Sequence, residues 1–563
     1  MGDVDYKALY TQRPPPFGEE LKAYFALDPE YINLNSGSYG TTPKPVLQAA
    51  YELTKKIEAN PDLFHRFTYQ PMLIDVRKRI ARLIGAKTDE VVLVTNASLG
   101  LNIVLRNFDW EEGDAIFAFT TTYNSISRTA QSIGDVPPHP TVHTIPLNFP
   151  TTHEEIASSF KEFLRAHRVA PNKKRVAIID SIVSNPGVLL PWQEMVKIAK
   201  EERVWSVVDA AHSIGQEVGI NLTESAPDFW ISNNHKWLSA KRSSAVLYVP
   251  GRNQHIVTTS IPTSYAYVSP KDRTEPNFVP QYEWNGTIDW SSHLTVADAL
   301  DFRTWLGGEA KINAYCHNLA LNGGKILAEI LDTRVMDPDG DLTLNMINVE
   351  LPLPPVTTID EYNRIDVFLK ERLLTKYKAY SAHFFHNEKW WTRCSAQVFN
   401  TIEDFEKIGR IWVKACEEVK NGLHLKYMSV ISIHSAGEIQ VQIDENCRRL
   451  CYRRANSVSS SPRQTPRPAT HAPILALYAQ DPTRATRAFT ALHRTDPAEA
   501  GALLGALFLA GDDSRRVGRF LLQSGGLFAQ GDRGMVDVLE RAMRWCLGRS
   551  QEPRPAYLGF SSV

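Results

Sequence analysis

Cysteine is scarce, with six residues in 563. So few in a chain this long make no disulfide framework, and reduced thiols of an intracellular protein are expected. Cys447 and Cys451 form an isolated C-x-x-x-C with no second ligand pair beside it, so no metal site is read there. Long apolar runs are missing too. The longest stretch, around "AGALLGALFLAG" (Ala500–Gly511), is too short and too Gly-rich to span a bilayer. The amino terminus, "MGDVDYKALYTQRPPP", has no apolar core for a secretory signal. It begins Met-Gly, but Tyr6 stands where an acylation motif wants Ser or Thr. Nor is there an excess of one charge. Lys and Arg total 62 against 63 Asp and Glu, a net charge of −1. Bulk attraction to nucleic acid or anionic lipid is therefore not expected. A soluble, cytoplasmic protein with a small-molecule partner is expected, with no nucleic acid and no membrane. Lysine, finally, is absent from Tyr427 to the end, while arginine is frequent there.

Apolar residues make up 43% and charged residues 22%, the balance of a globular protein. The length exceeds one compact core and predicts two or three domains. Between about residues 85 and 250, short apolar runs alternate with helical patterns. "VVLVT" (Val91–Thr95), "DAIFAF" (Asp114–Phe119), "RVAIID" (Arg175–Asp180), "WSVVDA" (Trp205–Ala210), "FWIS" (Phe229–Ser232) and "SAVLYVP" (Ser244–Pro250) read as buried strands. "PWQEMVKIAKEE" (Pro191–Glu202) carries helical spacing behind a proline. The alternation predicts an α/β protein with a mostly parallel central sheet covered by helices. Ligands of such sheets bind at the carboxyl ends of the strands. The expected organisation is an arm over 1–30, a large domain over 31–294 and a smaller α+β domain over 295–426. That smaller domain holds one recognisable strand, "RCSAQVFN" (Arg393–Asn400). A Ser/Pro/Arg-rich linker over 427–473 follows. Residues 474–563 form an Ala/Arg-rich stretch with helical potential and no visible chemistry.

Three strand ends draw attention. After "VVLVT", residues Thr95, Asn96, Ala97 and Ser98 would open a helix. They suit an anion such as phosphate, or they form an ordinary helix cap. "WSVVDAAHSIG" ends a strand in Asp209, with His212 three residues on. A buried carboxylate is costly unless paired; it is either another cap or the partner of a cationic ring nitrogen. "FWISNNHKWLSAKR" places Lys236 between His235 and Trp237. It is either a surface lysine with its stem along the rings or a partly dehydrated amine of lowered pKa, able to attack aldehydes. An anion cradle, an acid and a buried lysine at strand ends together suit pyridoxal phosphate. The helix terminus would take the phosphate, the acid would hold the pyridine nitrogen, and the lysine would bond to the aldehyde carbon.

With these residues in view, the sequence resembles the class V branch of the pyridoxal-phosphate aminotransferase-fold enzymes. That branch includes cysteine desulfurases and isopenicillin-N-epimerase-like proteins. The matching stretches run in the family's order over about residues 30–426. They are "YINLNSGSYGTTPKPV", "TNASLGLN", "TTYNSISRT", "DSIVSNPGVLLP", "VVDAAHSIGQ", "SNNHKWL", "WNGTIDW" and "RCSAQVFNTIEDF". The resemblance implies the type I pyridoxal-phosphate transferase fold. It implies that Lys236 bonds to the cofactor, that Asp209 pairs with its ring nitrogen and that His212 lies near the ring hydroxyl. Ala97, Ser98 and Asn233 would hold the phosphate, with His235 in the same cofactor site. Tyr123 would stack on the ring, and Asn185 would sit near the ring oxygen. Thr287 would reach the phosphate of a neighbouring subunit, which implies a homodimer. Arg393 would clamp the substrate carboxylate as a bidentate pair, with Asn35 and Tyr39 also facing the substrate.

The fold serves many reactions, so the site must decide. A desulfurase needs a mobile cysteine shortly before the carboxylate-binding arginine. The loop "KAYSAHFFHNEKWWTR" (Lys378–Arg393) has none, and Cys394 falls on the expected strand, where it would be packed. The same chemistry without a thiol expels a β-substituent. Lys236 would remove the α-proton; Tyr123 would either protonate the leaving group or only stack. Within the branch the chain resembles hercynylcysteine sulfoxide lyases of ergothioneine biosynthesis, in "NSGSYG", "NNHKW" and "RCSAQVFN". That resemblance implies β-elimination to a thiol-imidazole product (ergothioneine), pyruvate and ammonia. A desulfurase-, epimerase- or aminotransferase-like activity is the alternative, and a silent scaffold whose tail recruits partners is a third. Tyr39, Phe64, Tyr282, Trp284 and Trp290 would either offer cation–π contacts at the mouth or form core. Ser36 replaces a histidine of many epimerase-like relatives, which weighs against epimerisation.

Overall fold

The computed structural model describes residues 6–425. The expected linker, the Ala/Arg-rich stretch, "AGALLGALFLAG" and the Cys447/Cys451 pair lie outside the described residues. The frame of the molecule is a seven-stranded sheet. Its strands are β1 (Val91–Val94), β2 (Ala115–Phe119), β3 (Thr141–Ile145), β4 (Arg175–Asp180), β5 (Trp205–Asp209), β6 (Phe229–Asn233) and β7 (Ala245–Tyr248). Their spatial order is β1-β7-β6-β5-β4-β2-β3. The strands β3, β2, β4, β5 and β6 pair in parallel, and β7 runs antiparallel between β6 and β1.

Both faces of this sheet are covered, so its strands are mostly apolar. Successive side chains point to opposite faces. Leu93, Phe117, Ile179, Val208 and Trp230 enter one core, while Val92, Ile116, Ile178, Val207 and Ile231 enter the other. The edge strand β3, "TVHTI", escapes this rule because most of its residues retain solvent contact.

Helix α1 (Ala97–Asn107) follows β1, and its cap is Asn96, whose Oδ1 accepts the Leu99 N–H at 2.8 Å. Helix α2 (Asn124–Gly134) follows β2, and α3 (Trp192–Glu201) follows β4 behind Pro191. A second, three-stranded antiparallel sheet is built from β8 (Met346–Glu350), β9 (Ala382–His386) and β10 (Lys389–Ser395). It packs with two long helices spanning Gly308–Leu331 and Ile402–Lys420 around Ile347, Trp390, Phe405 and Trp412. The strand expected at Arg393–Asn400 therefore lies further upstream. The chain leaves the ladder after Ser395, where Ala396 N–H turns to Asn345 O. The two-residue strand Ile32–Asn33 pairs in parallel with Ala379–Tyr380, so the segment after residue 31 lies against the small sheet's elements.

Candidate active site

Five strand ends meet at one cavity of about 200 Å³. The turn after β1 contributes Asn96, Ala97 and Ser98. The turn after β2 contributes Tyr123, and β4 ends there in Asp180. β5 brings Asp209 and His212, and β6 leads into Asn233, His235 and Lys236. Ser38 and Tyr39 close it from the amino-terminal loop. Lys236 and Asp209 thus open into the same space.

Lys236 Nζ lies 3.1 Å from His212 Nε2. Burial pulls its pKa down to about 8, helped by the charge of Arg393 and opposed by Asp209. An amine so placed is neutral often enough at physiological pH to act as nucleophile or base. Asp209 is buried, and burial pushes its carboxyl up to about 6, against the pull of the Ala211 N–H and Lys236. Its Oδ1 accepts the Ala211 N–H at 3.1 Å. Its other oxygen has no partner among the described residues. The pull of Lys236 does not offset the burial of this carboxyl, and a protonated pyridine nitrogen would add the positive charge it is short of.

Two asparagines take backbone donors of the turn after β1. Asn233 Oδ1 accepts the Ala97 N–H at 2.9 Å, and Asn96 takes that of Leu99. The Ser98 N–H, between them in the first turn, has no acceptor among the described residues. Asn96 caps the helix, as one reading of this turn has it, and the free Ser98 N–H is a donor that an anion could use. These residues fit pyridoxal phosphate.

Arg393 is fully buried on β10. Its guanidinium donates to Asn35 Oδ1 at 2.9 Å, Ser38 Oγ at 2.8 Å and Ser184 O at 2.5 Å. Its Nε has no partner among the described residues, and desolvation lowers its pKa to about 10. Ser38 and Ser184 line the cavity, so the arginine reaches the site through its edge. Gly187 leaves room for it, since a Cβ there would lie 2.8 Å from Arg393 Cδ. The amino-terminal loop needs a glycine at 40 for a related reason. Its φ is +67°, and a Cβ would fall 1.6 Å from His235 O.

Some expected site residues are not gathered here. Asn185 and Thr287 are exposed and do not line the cavity. Of the five aromatic residues, only Tyr39 does so, and it is 71% exposed. Phe64, Tyr282 and Trp290 are buried in the cores and Trp284 packs against them, so they are core rather than mouth. Ser36 is buried and bonds Thr41 at 3.0 Å. Cys394 is fully buried, as its strand position predicts.

Three contributors escaped the sequence reading. Asp180 lines the cavity as the register partner of Asp209. Burial, then the charge of Asp209, pushes its carboxyl well above the usual range, and Thr122 Oγ1 donates to it at 3.3 Å. An acid ending "RVAIID" beside one ending "WSVVD" was the available signal. Ser38 and Ser184 carried no such signal. Beneath the lysine loop, buried Arg303 donates to Trp237 O and Gly215 O, both at 2.8 Å, and Glu309 neutralises it. Among the described residues no acid, histidine and cysteine group could hold a metal, and no helix is long and apolar enough to cross a membrane.

Comparison with known proteins agrees with this geometry. The model of the family described as aminotransferase class-V matches residues 32–357. An L-cysteine desulfhydrase-like protein of Epichloe uncinata is 34% identical over 444 residues, 72% of this chain and 97% of that protein. Hercynylcysteine sulfoxide lyase of Schizosaccharomyces pombe is 31% identical over 409 residues, 71% of this chain and 98% of that one. Among solved structures, the apo cysteine desulfurase of Thermococcus onnurineus NA1 aligns with a TM-score of 0.57 at 21% identity. The alignment covers 72% of this chain and 100% of that one.

Proposed function

Because the chain belongs to the class V aminotransferase family, a family of pyridoxal-phosphate enzymes, we propose that it is a C–S lyase acting on hercynylcysteine sulfoxide. β-Elimination would release an imidazole sulfenic acid and aminoacrylate; water hydrolyses the aminoacrylate to pyruvate and ammonia, and a thiol reductant converts the sulfenic acid to ergothioneine. The observation that favours elimination over sulfur transfer is the state of the thiols. All three cysteines among the described residues, Cys316, Cys394 and Cys416, are buried. The loop before Arg393 offers no acceptor for a transferred sulfur.

Bound pyridoxal phosphate supplies an electron sink that acidifies the substrate's α-carbon. The chain's own groups do the rest. Arg393 holds the substrate carboxylate, with Asn35 and Ser38 orienting the guanidinium. Asp209, largely anionic at neutral pH, keeps the ring nitrogen protonated. Lys236 takes the α-proton through its neutral amine. Tyr123, half-exposed at the rim, delivers a proton to the leaving sulfur's oxygen. Thr287, exposed and away from this cavity, would serve the site of a second copy in a homodimer. We place the enzyme in the cytoplasm.

A second reading, cleavage of free cysteine, draws support from the small cavity and the 34% identical relative. The full-length protein, loaded with cofactor, is offered each compound and pyruvate is quantified. Release from the sulfoxide at the higher kcat/KM is expected. Turnover of cysteine with none of the sulfoxide would replace the first reading by the second. Alanine as product would overturn both.

A further inference from the structure

His212 is bonded through both ring nitrogens. Its Nε2 faces Lys236 Nζ at 3.1 Å, and its Nδ1 receives the indole Nε1–H of Trp237 at 3.3 Å. These two contacts fix where the histidine's proton is. An indole nitrogen only donates. Nδ1 must therefore present a lone pair, because an N–H there would point at another N–H. A neutral imidazole carries one proton, so Nε2 carries it. The doubly protonated ring is excluded on the same ground, and also by its surroundings. Lys236, Arg393 and His235 all oppose a further positive charge there, and the ring is buried.

We propose that Trp237 is a positioning residue whose indole N–H locks His212 as the Nε2–H tautomer. The ring then offers a hydrogen-bond donor, not an acceptor, to the cavity. A donor facing Lys236 Nζ is compatible only with an amine that has its lone pair free. The ammonium form would set hydrogen against hydrogen. Trp237 thus holds the lysine in the form that can attack an aldehyde or take a proton. When the amine moves away, the same Nε2–H remains for an oxygen of whatever occupies the cavity. The consequence does not depend on which substrate is cleaved.

The indole is itself held in place. It is buried against Ile182 and Met346, its carbonyl is tied to Arg303, and a Cβ on Gly37 would sit 3.3 Å from its ring. The backbone of His212 is fixed by Gln216, whose amide donates to its carbonyl at 2.9 Å. The indole is thereby held in its place against the His212 ring.

The test begins with the full-length protein labelled with 15N-histidine, cofactor-loaded and cofactor-free. The His212 signal, assigned by its loss in His212→Asn, is expected to show Nε2 protonated and Nδ1 bare in both forms. An Nδ1–H ring or an imidazolium overturns the proposal, and this readout requires no variant of Trp237. The second arm compares Trp237→Phe, which removes the N–H, with Met346→Ala, which loosens the same packing but keeps it. In the cofactor-free chain, the pH dependence of Lys236 acylation is read by mass spectrometry. Asp209, Asp180, Arg393, His235 and His212 face that amine or its neighbours, and all are retained in both variants. With the N–H gone, His212 can turn a lone pair toward Nζ and favour the ammonium. The midpoint for Trp237→Phe should move up, by about tenfold in proton concentration, while that for Met346→Ala stays. Equal movement in both, or none in Trp237→Phe, overturns the proposal.

Discussion

Asp180 and Asp209 are register partners on neighbouring parallel strands, two buried carboxyls opening into one cavity. Two acids so placed cannot both ionise without cost. The arrangement makes Asp180 the acid that retains its proton and leaves Asp209 the one able to carry the charge.

Asp180→Asn tests this through stability. A carboxyl whose folded pKa lies above its unfolded value costs nothing below the unfolded value of about 3.9. It opposes folding progressively as the pH rises above that. The amide keeps an acceptor for Thr122 and cannot ionise. The cofactor-free variant should gain on the order of 1 kcal/mol over the parent at pH 8 and little at pH 4. Thermal denaturation at both pH values measures it. An equal effect at the two would refute the like-charge account.

Lys236→Ala removes the amine proposed to anchor the cofactor. Turnover should fall by roughly 10²–10⁴ from the lost proton transfer alone, and the visible absorbance of the loaded protein should change shape. Unchanged absorbance would place the cofactor elsewhere.

Arg393→Lys exchanges a planar fork for a single ammonium. Its bonds to Asn35, Ser38 and Ser184 cannot all be remade. KM for the amino-acid substrate should rise about 10- to 100-fold, equivalent to about 1.4–2.7 kcal/mol, with a smaller change in kcat. Steady-state kinetics separates the two, and a normal KM would remove Arg393 from carboxylate binding.

Gly187→Ala acts at one remove. The added methyl would press on Arg393 Cδ and on Met346 Cβ, 2.9 Å away. The displaced guanidinium should raise KM about tenfold with the fold retained, which circular dichroism would verify. An unaffected KM would mean that the arginine has slack the packing does not show.

The parts of this molecule that could be read from sequence share one physical property. β1, β4, β6 and β7 are buried on both faces, so their runs are apolar and stand out. β3 is a half-wet edge, and β8 and β9, "MINVE" and "AHFFH", mix polar with apolar residues. None of these announces itself. Lys236 and Asp209 were legible because a charged group ending a buried strand demands a reason. The aromatic residues were not, because Trp290 at a mouth and Trp290 in a core look alike in sequence. The contact between Trp237 and His212 joins residues 25 apart, and no spacing rule predicts it.

The strand Ile32–Asn33 lies beside Ala379–Tyr380, and Asn35 meets Arg393 across a separation of 358 positions. During synthesis, then, the acid and the lysine emerge from the ribosome long before the arginine that completes their site. A nascent chain can shape most of the cavity early. The guanidinium at the cavity's edge joins it only when the distal hairpin arrives and closes on the segment made first.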